Sequence, residues 1–507
     1  MYTQYGRTDQ PGMPLIEKQS QRLSRCSVRT STAPGRTVDC TLSEFVRGFL
    51  YGGDMFFKRN AAARTNKKLV DTRTQPASRE SVAAPRFSDR DLYSLAEKYG
   101  TPYFLMDEAT LRRKVADMEQ AFAEFKGNYR VAYSVKANFN PSVIRTFITE
   151  GILFDLTASS ELVFILKSGG TAEDVVYTSI TETTAEYEEV LRMGVRRIVV
   201  ASFSGLLNLA EAAAKVNVAV KTMIRVNPEV HVHAELRGSM GHGKFGLRFD
   251  GGNEDSATYV LKKILDTPLL QFEGFHFHLG SQVEDPTCYA EAIEKLEAFI
   301  LDAKRRLGEF HVRTLDIGGG LPAPYGRKVP TPKDLASKIV GQLNSLIESI
   351  GDRFSLVSES GRYLTAESTV LVSRIVNIKS FGEAKYVYLD AGYHVLLDSA
   401  LLRHEYPVEV VPGGKPSQQK VVLVGRLCDP LDVFPTSSRS KLGGASAGKL
   451  VVFRDVGAYS LVMNMPFHSQ PRPFVLMRDG QGNFSVARKG QDVDRLFLDE
   501  GGDCLVT

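Results

Sequence analysis

Lys136 is the residue whose position points most directly to chemistry. It ends a short apolar run at 131–135, Val-Ala-Tyr-Ser-Val, which is typical of a buried strand. Apolar surroundings lower the pKa of an amine and expose its lone pair, so a lysine here can form a Schiff base with a carbonyl compound. The alternative is a structural lysine whose ammonium reaches solvent from the strand end. The choice depends on which residues the fold brings to Lys136.

Short β-branched runs alternate with longer helical patterns from about residue 103 onwards. The candidate strands are 130–135, 152–156, 175–178, 197–201, 222–226, 274–278, 314–317 and 354–358. Eight strand-then-helix units in series predict an α/β fold, a (β/α)8 barrel of the TIM type over residues 105–362. An open doubly wound sheet is the alternative architecture, but polar residues just past the strand ends favour the barrel.

After residue 362 the pattern changes to short strands that are joined by Gly, Pro and Asp turns, with no long helix between them. The candidate strands are 369–378, 386–389, 408–411, 420–424, 449–453, 474–477 and 483–488. They predict a second, all-β domain over residues 363–507, and we assign residues 86–104 to the same domain.

The carboxyl ends of the strands in a barrel face one mouth, where active sites are assembled. The predicted strands bring the following polar residues and glycines to that mouth: Lys136, Asp155, Arg225, His276, His278, Ser281, Gly318, Gly319, Gly320, Glu359 and Arg362. Residues that are far apart in the chain therefore share one predicted cavity.

Several of these residues would each suit a different part of pyridoxal phosphate. Backbone N–H groups in the run Gly318–Gly320 can approach a phosphate without side-chain obstruction, and Arg362 can bind the same phosphate. A Glu359 carboxylate beside the pyridine nitrogen keeps that nitrogen protonated, so the ring accepts electrons well. His278 offers a flat ring to stack on the cofactor, and Ser281 offers a hydroxyl group to its polar edge.

Taken singly, the same residues have structural explanations. A Gly-Gly-Gly run is often a turn, and Glu359 and Arg362 could form a surface ion pair. Because side chains alternate along a strand, we expect His276 and His278 on opposite faces, one of them a hydrogen-bonded core residue. The alternation also argues against a metal ion bound by both histidines, and we predict no metal site.

The motifs, in their order along the chain, resemble those of the barrel-type PLP-dependent decarboxylases, which include diaminopimelate, ornithine and arginine decarboxylases. Six segments carry the resemblance: 133–138 (YSVKAN), 276–282 (HFHLGSQ), 315–320 (LDIGGG), 359–362 (ESGR), 428–432 (CDPLD) and 455–459 (DVGAY). It runs from about residue 89 to the C-terminus. The G-S-Q triplet and the D-A-G of 390–392 are closer to the diaminopimelate branch.

The resemblance implies an alanine-racemase-like barrel, a β-sandwich, and an obligate homodimer with two active sites at its interface. Cys428 and Asp429 would reach into the neighbouring site, and Tyr459 would contact the cofactor phosphate. We also assign Asp155 and Arg225 to the cofactor. The residues that we expect to be catalytic in decarboxylation of a small amino acid are Lys136, Cys428, His278 and Glu359.

Positions in the substrate pocket depart from the diaminopimelate branch. Enzymes of that branch typically carry an arginine near position 398 and a tyrosine near 402 to hold a distal carboxylate, but this chain has Asp398 and Leu402. Asp429 stands where the branch usually has glutamate. Two aspartates without the arginine suit a distal ammonium, as in lysine or ornithine, better than a carboxylate. A solvated loop acid is the alternative for Asp398.

Composition limits the other classes of function. The formal net charge of +4 over 507 residues does not suggest a nucleic-acid binder, and no apolar stretch is long enough to span a bilayer. Five scattered cysteines form no disulfide framework or CxxC metal site and indicate a reducing, cytoplasmic setting. Residues 1–85, rich in Arg, Ser, Thr and Gln, predict a mostly disordered extension, and its acids argue against an organelle transit peptide.

Three other functions stay open. An amino-acid racemase could use the same lysine and barrel, although the motifs at 428–432 and 455–459 disfavour it. A catalytically dead regulatory relative should have lost cofactor contacts that this chain retains. Decarboxylation of an amino acid within a larger siderophore or antibiotic intermediate is compatible with every motif.

Overall fold

The structure is a computed structural model that describes residues 87–237, 244–250, 254–437 and 440–501. The predicted extension at 1–85 lies outside the described residues. Among the helices described, none has both the length and the apolar character needed to cross a membrane.

The strands within the described residues are β1 (Tyr103–Asp107), β2 (Asn128–Ser134), β3 (Leu153–Leu156), β4 (Val175–Thr178), β5 (Arg197–Val200), β6 (Val220–Arg225), β7 (Ala234–Arg237), β8 (Leu270–His276), β9 (Gly280–Val283), β10 (Thr314–Asp316), β11 (Ser355–Ser360), β12 (Thr369–Phe381), β13 (Ala384–Leu389), β14 (Val408–Val411), β15 (Lys420–Val424), β16 (Val433–Phe434), β17 (Leu450–Phe453), β18 (Phe474–Arg478) and β19 (Phe484–Arg488).

The α-helices are α1 (Asp89–Tyr99), α2 (Glu108–Ala121), α3 (Pro141–Thr149), α4 (Ser159–Lys167), α5 (Thr184–Arg192), α6 (Phe203–Val216), α7 (Ala257–Leu265), α8 (Thr287–Leu307), α9 (Pro332–Ile350), α10 (Arg362–Thr365), α11 (Leu397–Leu401) and α12 (Val493–Asp499). Short 3-10 turns lie at Val135–Ala137, Ala172–Asp174, Ala366–Ser368, Leu461–Met463 and Phe467–Ser469.

Eight parallel strands close into a barrel in the order β2-β3-β4-β5-β6-β8-β10-β11. The closure pairs β11 with β2, so that Ser355 lies opposite Asn128 and Ser360 opposite Tyr133. Each of the eight predicted strands overlaps one strand of the barrel. The predicted TIM-type architecture is therefore confirmed, and the open sheet is excluded.

The barrel is filled by side chains rather than open along its axis. One separate buried cluster takes a residue from each of six strands: Ala132, Leu153, Val176, Val199, Met223 and Val357. Their neighbours along the strands, such as Val131 and Tyr133, belong to the large cluster that includes the surrounding helices. Because side chains alternate along a strand, this division marks an inner and an outer layer. The inner layer of this cluster is consequently apolar.

A mixed nine-stranded sheet contains the strands that follow the barrel in sequence. Its main path runs β16-β15-β13-β12-β1-β18-β19, and β17 joins β14 to β12. β1 precedes the barrel in the chain, but it pairs antiparallel with β12 and in parallel with β18. Asp107 at the end of β1 caps the barrel helix α2 and lies 2.8 Å from Arg478 of β18. The sheet thus connects directly to the first helix of the barrel.

Gly274 on β8 tests how closely the barrel strands β8 and β10 pack, because a Cβ atom there would lie 1.8 Å from the Thr314 carbonyl oxygen on β10. We expect Gly274→Ala to destabilise the protein by about 2–3 kcal/mol, since the backbone of β8 or β10 must shift. Gly341→Ala in α9 is the matched control: a Cβ there meets nothing within 4 Å, so about 0.5–1 kcal/mol of stabilisation is expected. Urea unfolding followed by circular dichroism measures both, and equal midpoints would contradict the packing described.

Candidate active site

Lys136 lies at the carboxyl end of β2, on the 3-10 turn Val135–Ala137. Its Nζ is 2.6 Å from Asp155 Oδ2 on the adjacent strand β3, and the Ser134 hydroxyl donates to the same oxygen at 2.8 Å. Asp155 is buried, whereas the Lys136 side chain is 40% exposed. The amine is therefore held by a buried carboxylate and remains reachable from the mouth.

The pKa of Lys136 is raised, not lowered. Burial acts to lower it, but the charges of Asp155 and Glu359 outweigh burial and raise the pKa above its ordinary value. The expectation that apolar walls lower this pKa is wrong, because the neighbouring strands supply two carboxylates. Burial, and then Glu359, raise the pKa of Asp155, while Lys136 opposes that rise. Asp155 is thus a better proton acceptor than an exposed aspartate and lies in contact with the amine.

Glu359 lies on β11, opposite Ala132 of β2. Its Oε2 is 3.3 Å from His276 Nε2, and its buried Oε1 has no hydrogen-bond partner in the described part of the chain. Burial acts to raise the pKa of Glu359, but His276 and Lys136 lower it to about 2. Glu359 is therefore an ionised carboxylate with one oxygen left for a donor. Glu359 and Arg362 are both buried, which excludes a surface ion pair.

Both histidines belong to the site. β8 ends at His276, so His278 lies beyond the strand and the expected alternation does not apply to it. His276 contacts Glu359, and the Gly319 N–H donates to His278 Nδ1 at 2.9 Å. His276 is a buried, hydrogen-bonded residue, as expected for one of the two, but its partner Glu359 places it in the site. Burial, followed by the charge of Arg225, lowers the pKa of His278 to about 3, so its ring is neutral at pH 7.

The run Gly318–Gly320 packs too closely against its neighbours for any side chain. A Cβ at Gly318 would lie 2.4 Å from the Phe277 carbonyl oxygen, and one at Gly319 would lie 2.1 Å from that of Glu359. Two of its N–H groups donate within the protein, from Gly318 to Asp316 Oδ1 and from Gly319 to His278 Nδ1. The expectation that these two N–H groups face a phosphate is therefore not met in this structure.

Arg362 begins α10 and is 6% exposed. Its guanidinium donates to Tyr325 Oη at 2.8 Å and to Ser281 Oγ at 3.3 Å, and lies 4.7 Å from the ring centre of Tyr459. The Tyr459 N–H donates to the Ala137 carbonyl at 2.9 Å, and Tyr459 adopts a φ of 61°, which is rare for a tyrosine. A cation and three hydroxyl groups thus lie together beside the lysine turn.

Arg225 brings a second buried cation to the site. It ends β6, is 7% exposed, and its guanidinium lies 4.6 Å from the ring centre of Phe245. Burial lowers the pKa of Arg225, and the carboxylates Glu359 and Asp155 oppose that change. Arg225 therefore stays charged and offsets the negative charge of the two carboxylates.

Cys428 and Asp429 make their described contacts within the β-sheet region. Cys428 is exposed, and its backbone N–H donates to His468 Nδ1 at 3.4 Å. Asp429 Oδ2 accepts a hydrogen bond from the Tyr393 hydroxyl at 3.0 Å. The two residues are thus held on an exposed loop.

Asp398 lies in α11 and is 6% exposed, so the alternative of a solvated loop acid is wrong. It acts electrostatically on Tyr325 and Tyr406. A cavity of about 470 Å³ opens nearby, lined by residues that include Tyr325, Leu402 and Arg327. Since Tyr325 also accepts a hydrogen bond from Arg362, the cavity adjoins the part of the site that contains Arg362.

The residues present fit pyridoxal phosphate group by group. Lys136 offers an amine to the aldehyde, and the partnerless Glu359 Oε1 offers an acceptor to a protonated ring nitrogen. The neutral ring of His278 offers a flat surface, and Arg362 with its hydroxyl neighbours offers donors to a phosphate.

Three residues that the sequence patterns did not single out take part in this geometry. Asp316 binds the glycine run, Tyr325 binds Arg362, and Ser134 binds Asp155. Asp316 stands in the LDIGGG segment and Ser134 in YSVKAN, so their motifs were visible. Their contacts depend on cross-strand register, which one sequence does not reveal.

Comparison with known proteins agrees with this geometry. Residues 108–366 match the family model described as the pyridoxal binding domain of pyridoxal-dependent decarboxylases. The diaminopimelate decarboxylase of Methanothermobacter thermautotrophicus is 32% identical over 431 residues, which cover 80% of this chain and 95% of that protein. A solved diaminopimelate decarboxylase from Methanocaldococcus jannaschii has a TM-score of 0.74 at 26% identity, covering 80% of this chain and 93% of its own. The chain therefore belongs to the family of pyridoxal-dependent decarboxylases.

Proposed function

We propose that this chain removes the α-carboxyl group of a diaminopimelate-like amino acid whose distal end carries an ammonium group rather than a carboxylate. The observation that carries the decarboxylase activity is the pairing of β2 with β11, which brings Lys136 and the ionised Glu359 together at the barrel mouth. The relatives that are named diaminopimelate decarboxylases support the same reaction class.

Pyridoxal phosphate, when bound, supplies an electron sink for the pair of electrons that carbon dioxide leaves on the α-carbon. Lys136 would hold its aldehyde carbon, and Glu359 Oε1 would accept from its ring nitrogen. His278 would lie against its ring. The residues that would hold its phosphate are Ser281, Gly320, Arg362 and Tyr459.

The chain's own residues control charge and protons during the reaction. Lys136 Nζ can pass a proton to Asp155 Oδ2, which is 2.6 Å away, and receive it back. The positive charge of Arg225 offsets part of the negative charge of Glu359 and Asp155, which little water screens because all three residues are buried. After carbon dioxide leaves, the α-carbon needs a proton, and we assign this donation to Lys136 Nζ or Cys428 Sγ.

The preference for a distal ammonium rests on Asp398 and Leu402. A buried carboxylate repels a second carboxylate and attracts an ammonium group, since low dielectric strengthens both effects. Leu402 lines the cavity, and its side chain, unlike that of a tyrosine, has no group of its own that could bind a carboxylate. Lysine and ornithine are therefore the substrates that we propose.

The cavity favours a second candidate substrate, an amino acid held within a larger polar molecule. Its volume of about 470 Å³ is within the range of pockets that hold drug-sized ligands. Charged lining residues, among them Glu284, Arg327 and Arg403, would suit polar substituents. A conjugated amino acid of this kind would fill space that lysine leaves empty.

We also propose a homodimer in which each subunit supplies Cys428 and Asp429 to the site of the other. Cys428 is exposed, and the neighbouring side chains Leu431 and Phe467 are 58% and 39% exposed. Exposed apolar residues around a polar pair are typical of an interface.

Lys136→Ala should abolish covalent attachment of the cofactor and lower decarboxylation about 10³-fold or more, because no other amine replaces it. Lys126→Ala, which removes an exposed lysine paired with Glu348, is the control and should keep both properties. Borohydride reduction of the purified holoenzyme followed by peptide mass spectrometry locates the attachment. An adduct on any other lysine would refute the assignment.

Substrate preference is measured as kcat/KM from carbon dioxide release with lysine, ornithine and meso-diaminopimelate. We expect lysine or ornithine to exceed meso-diaminopimelate by about 10-fold or more, and Asp398→Asn to reduce that ratio by removing the charge that attracts an ammonium. A clear preference for meso-diaminopimelate would defeat the ammonium pocket. Turnover of none of the three, with turnover of a lysine conjugate, would favour the second candidate.

Shared active sites predict complementation between two inactive variants. Mixed dimers of Lys136→Ala and Cys428→Ala contain one intact site, so random exchange of subunits should restore about a quarter of wild-type activity. Each variant mixed with itself serves as the control. Sedimentation that shows a monomer, or a mixture as inactive as its parents, would rule out sites shared between subunits.

A further inference from the structure

Three buried titratable side chains meet at the floor of the site: His276, Asp316 and Glu359. They come from the adjacent strands β8, β10 and β11, and one nitrogen or oxygen of each lies within 4.8 Å of the other two. Their exposures are 1%, 0% and 4%, respectively. The proposed reaction uses Glu359, but it gives no task to His276 or Asp316.

The hydrogen bonds of this cluster fix which atoms carry protons. An ionised carboxylate only accepts, so His276 Nε2, which is 3.3 Å from Glu359 Oε2, must be the protonated nitrogen of the ring. Asp316 Oδ1 accepts from the Gly318 N–H at 2.8 Å. Among the described residues, His276 Nδ1, Asp316 Oδ2 and Glu359 Oε1 have no hydrogen-bond partner. The cluster is therefore well anchored on one side and incomplete on the other.

Two carboxyl groups this close together and away from water do not both ionise. Burial, and then the charge of Glu359, raise the pKa of Asp316 well above its ordinary value. Burial has the same tendency at Glu359, but His276 and Lys136 lower its pKa to about 2. The proton of the pair accordingly favours Asp316, and Glu359 carries the negative charge.

Charged groups on other elements do not change this distribution. Lys136 and Arg225 act on Glu359 as cations and favour its ionised form. The carboxyl group of Asp155 acts on Asp316 and raises its pKa further. His278 is neutral at pH 7. A protonated ring nitrogen would bring one positive charge to the one negative charge of the cluster.

We propose that His276 and Asp316 are positioning residues that hold Glu359 as a singly charged carboxylate with Oε1 aimed at the ring nitrogen of the cofactor. His276 fixes Oε2 and so prevents rotation of the carboxylate. Asp316, neutral and anchored through the Gly318 N–H, lies beside Glu359 without adding a second negative charge. The inference rests on the proposed function, because the ring nitrogen belongs to pyridoxal phosphate.

The same three residue types could also bind a metal ion. A proton on the nitrogen that faces Glu359 and another on Asp316 oppose a cation at this place, since metal ligands must be deprotonated. Metal analysis of the purified holoenzyme separates the two possibilities. Stoichiometric metal that is lost in His276→Leu would overturn the proposal.

The direct test is the ¹⁵N chemical shift of pyridoxal phosphate labelled at its ring nitrogen and bound to the protein. In the wild type we expect the shift of a protonated ring. His276→Leu, which removes the donor, should move the shift toward the unprotonated value and lower kcat about 10- to 100-fold, with a smaller change in KM. His276→Gln keeps an N–H donor of similar reach and should restore the protonated shift even if the leucine variant folds poorly.

Asp316→Asn distinguishes a neutral from an ionised acid. An amide resembles the protonated carboxyl group, so we expect the ring to stay protonated in this variant. Thr314→Val, on the same strand as Asp316, is the matched control, because it removes a buried hydrogen bond to Glu273 of β8, which is not a member of the cluster. Its ring should also stay protonated.

Three results would overturn the proposal: a wild-type ring without its proton, a protonated ring in His276→Leu, or loss of the proton in Asp316→Asn. Failure of the proposed function gives a different result, because a wild-type protein that does not bind pyridoxal phosphate shows no bound ¹⁵N signal.

Discussion

Balance of charge at the mouth of the barrel is the constraint on which the site depends. Two cations, Lys136 and Arg225, and two carboxylates, Asp155 and Glu359, are assembled there, and all of them except Lys136 are buried. Any one of these groups alone would be costly to bury in its charged form. Together their opposite charges offset one another, as in the contact of 2.6 Å between Lys136 Nζ and Asp155 Oδ2. The catalytic amine is therefore positioned by electrostatics as much as by packing.

Strand closure and the second sheet both serve this arrangement. The pairing of β11 with β2 fixes Glu359 relative to Lys136, because neighbouring strands hold their side chains at constant spacing. The loop that carries Tyr459 adopts a strained backbone in order to bind Ala137 and to lie against Arg362. The barrel strands thus position the charged groups of the site, and the loop of Tyr459 supplies one of the hydroxyl groups around Arg362.

Elements with strong periodicity could be predicted from the sequence, and so could the residues at their ends. The eight barrel strands and seven of the nine strands of the second sheet were visible as β-branched runs, whereas β1 and β16 were not predicted. The positions of Lys136, Glu359 and Arg362 follow from the ends of their strands. What could not be predicted depends on contacts across strands. The sign of the pKa shift at Lys136 is set by Asp155, which lies beside it only when the register is known.

The positions at which individual strands end were a second source of wrong predictions. β8 stops at His276, so the alternation expected for His278 was misleading. The N–H groups of Gly318 and Gly319 turned out to bind Asp316 and His278. Such partners are set by where a strand ends and how the following turn folds, and a hydrophobic pattern carries no information about either.

A crystal structure of the protein with pyridoxal phosphate tests the central claim most directly. The account predicts a covalent bond from Lys136 Nζ to the cofactor, and Glu359 Oε1 within about 3 Å of the ring nitrogen. It is contradicted if the cofactor lies outside the barrel mouth, or if Lys136 keeps its contact with Asp155 while the ring nitrogen faces another residue.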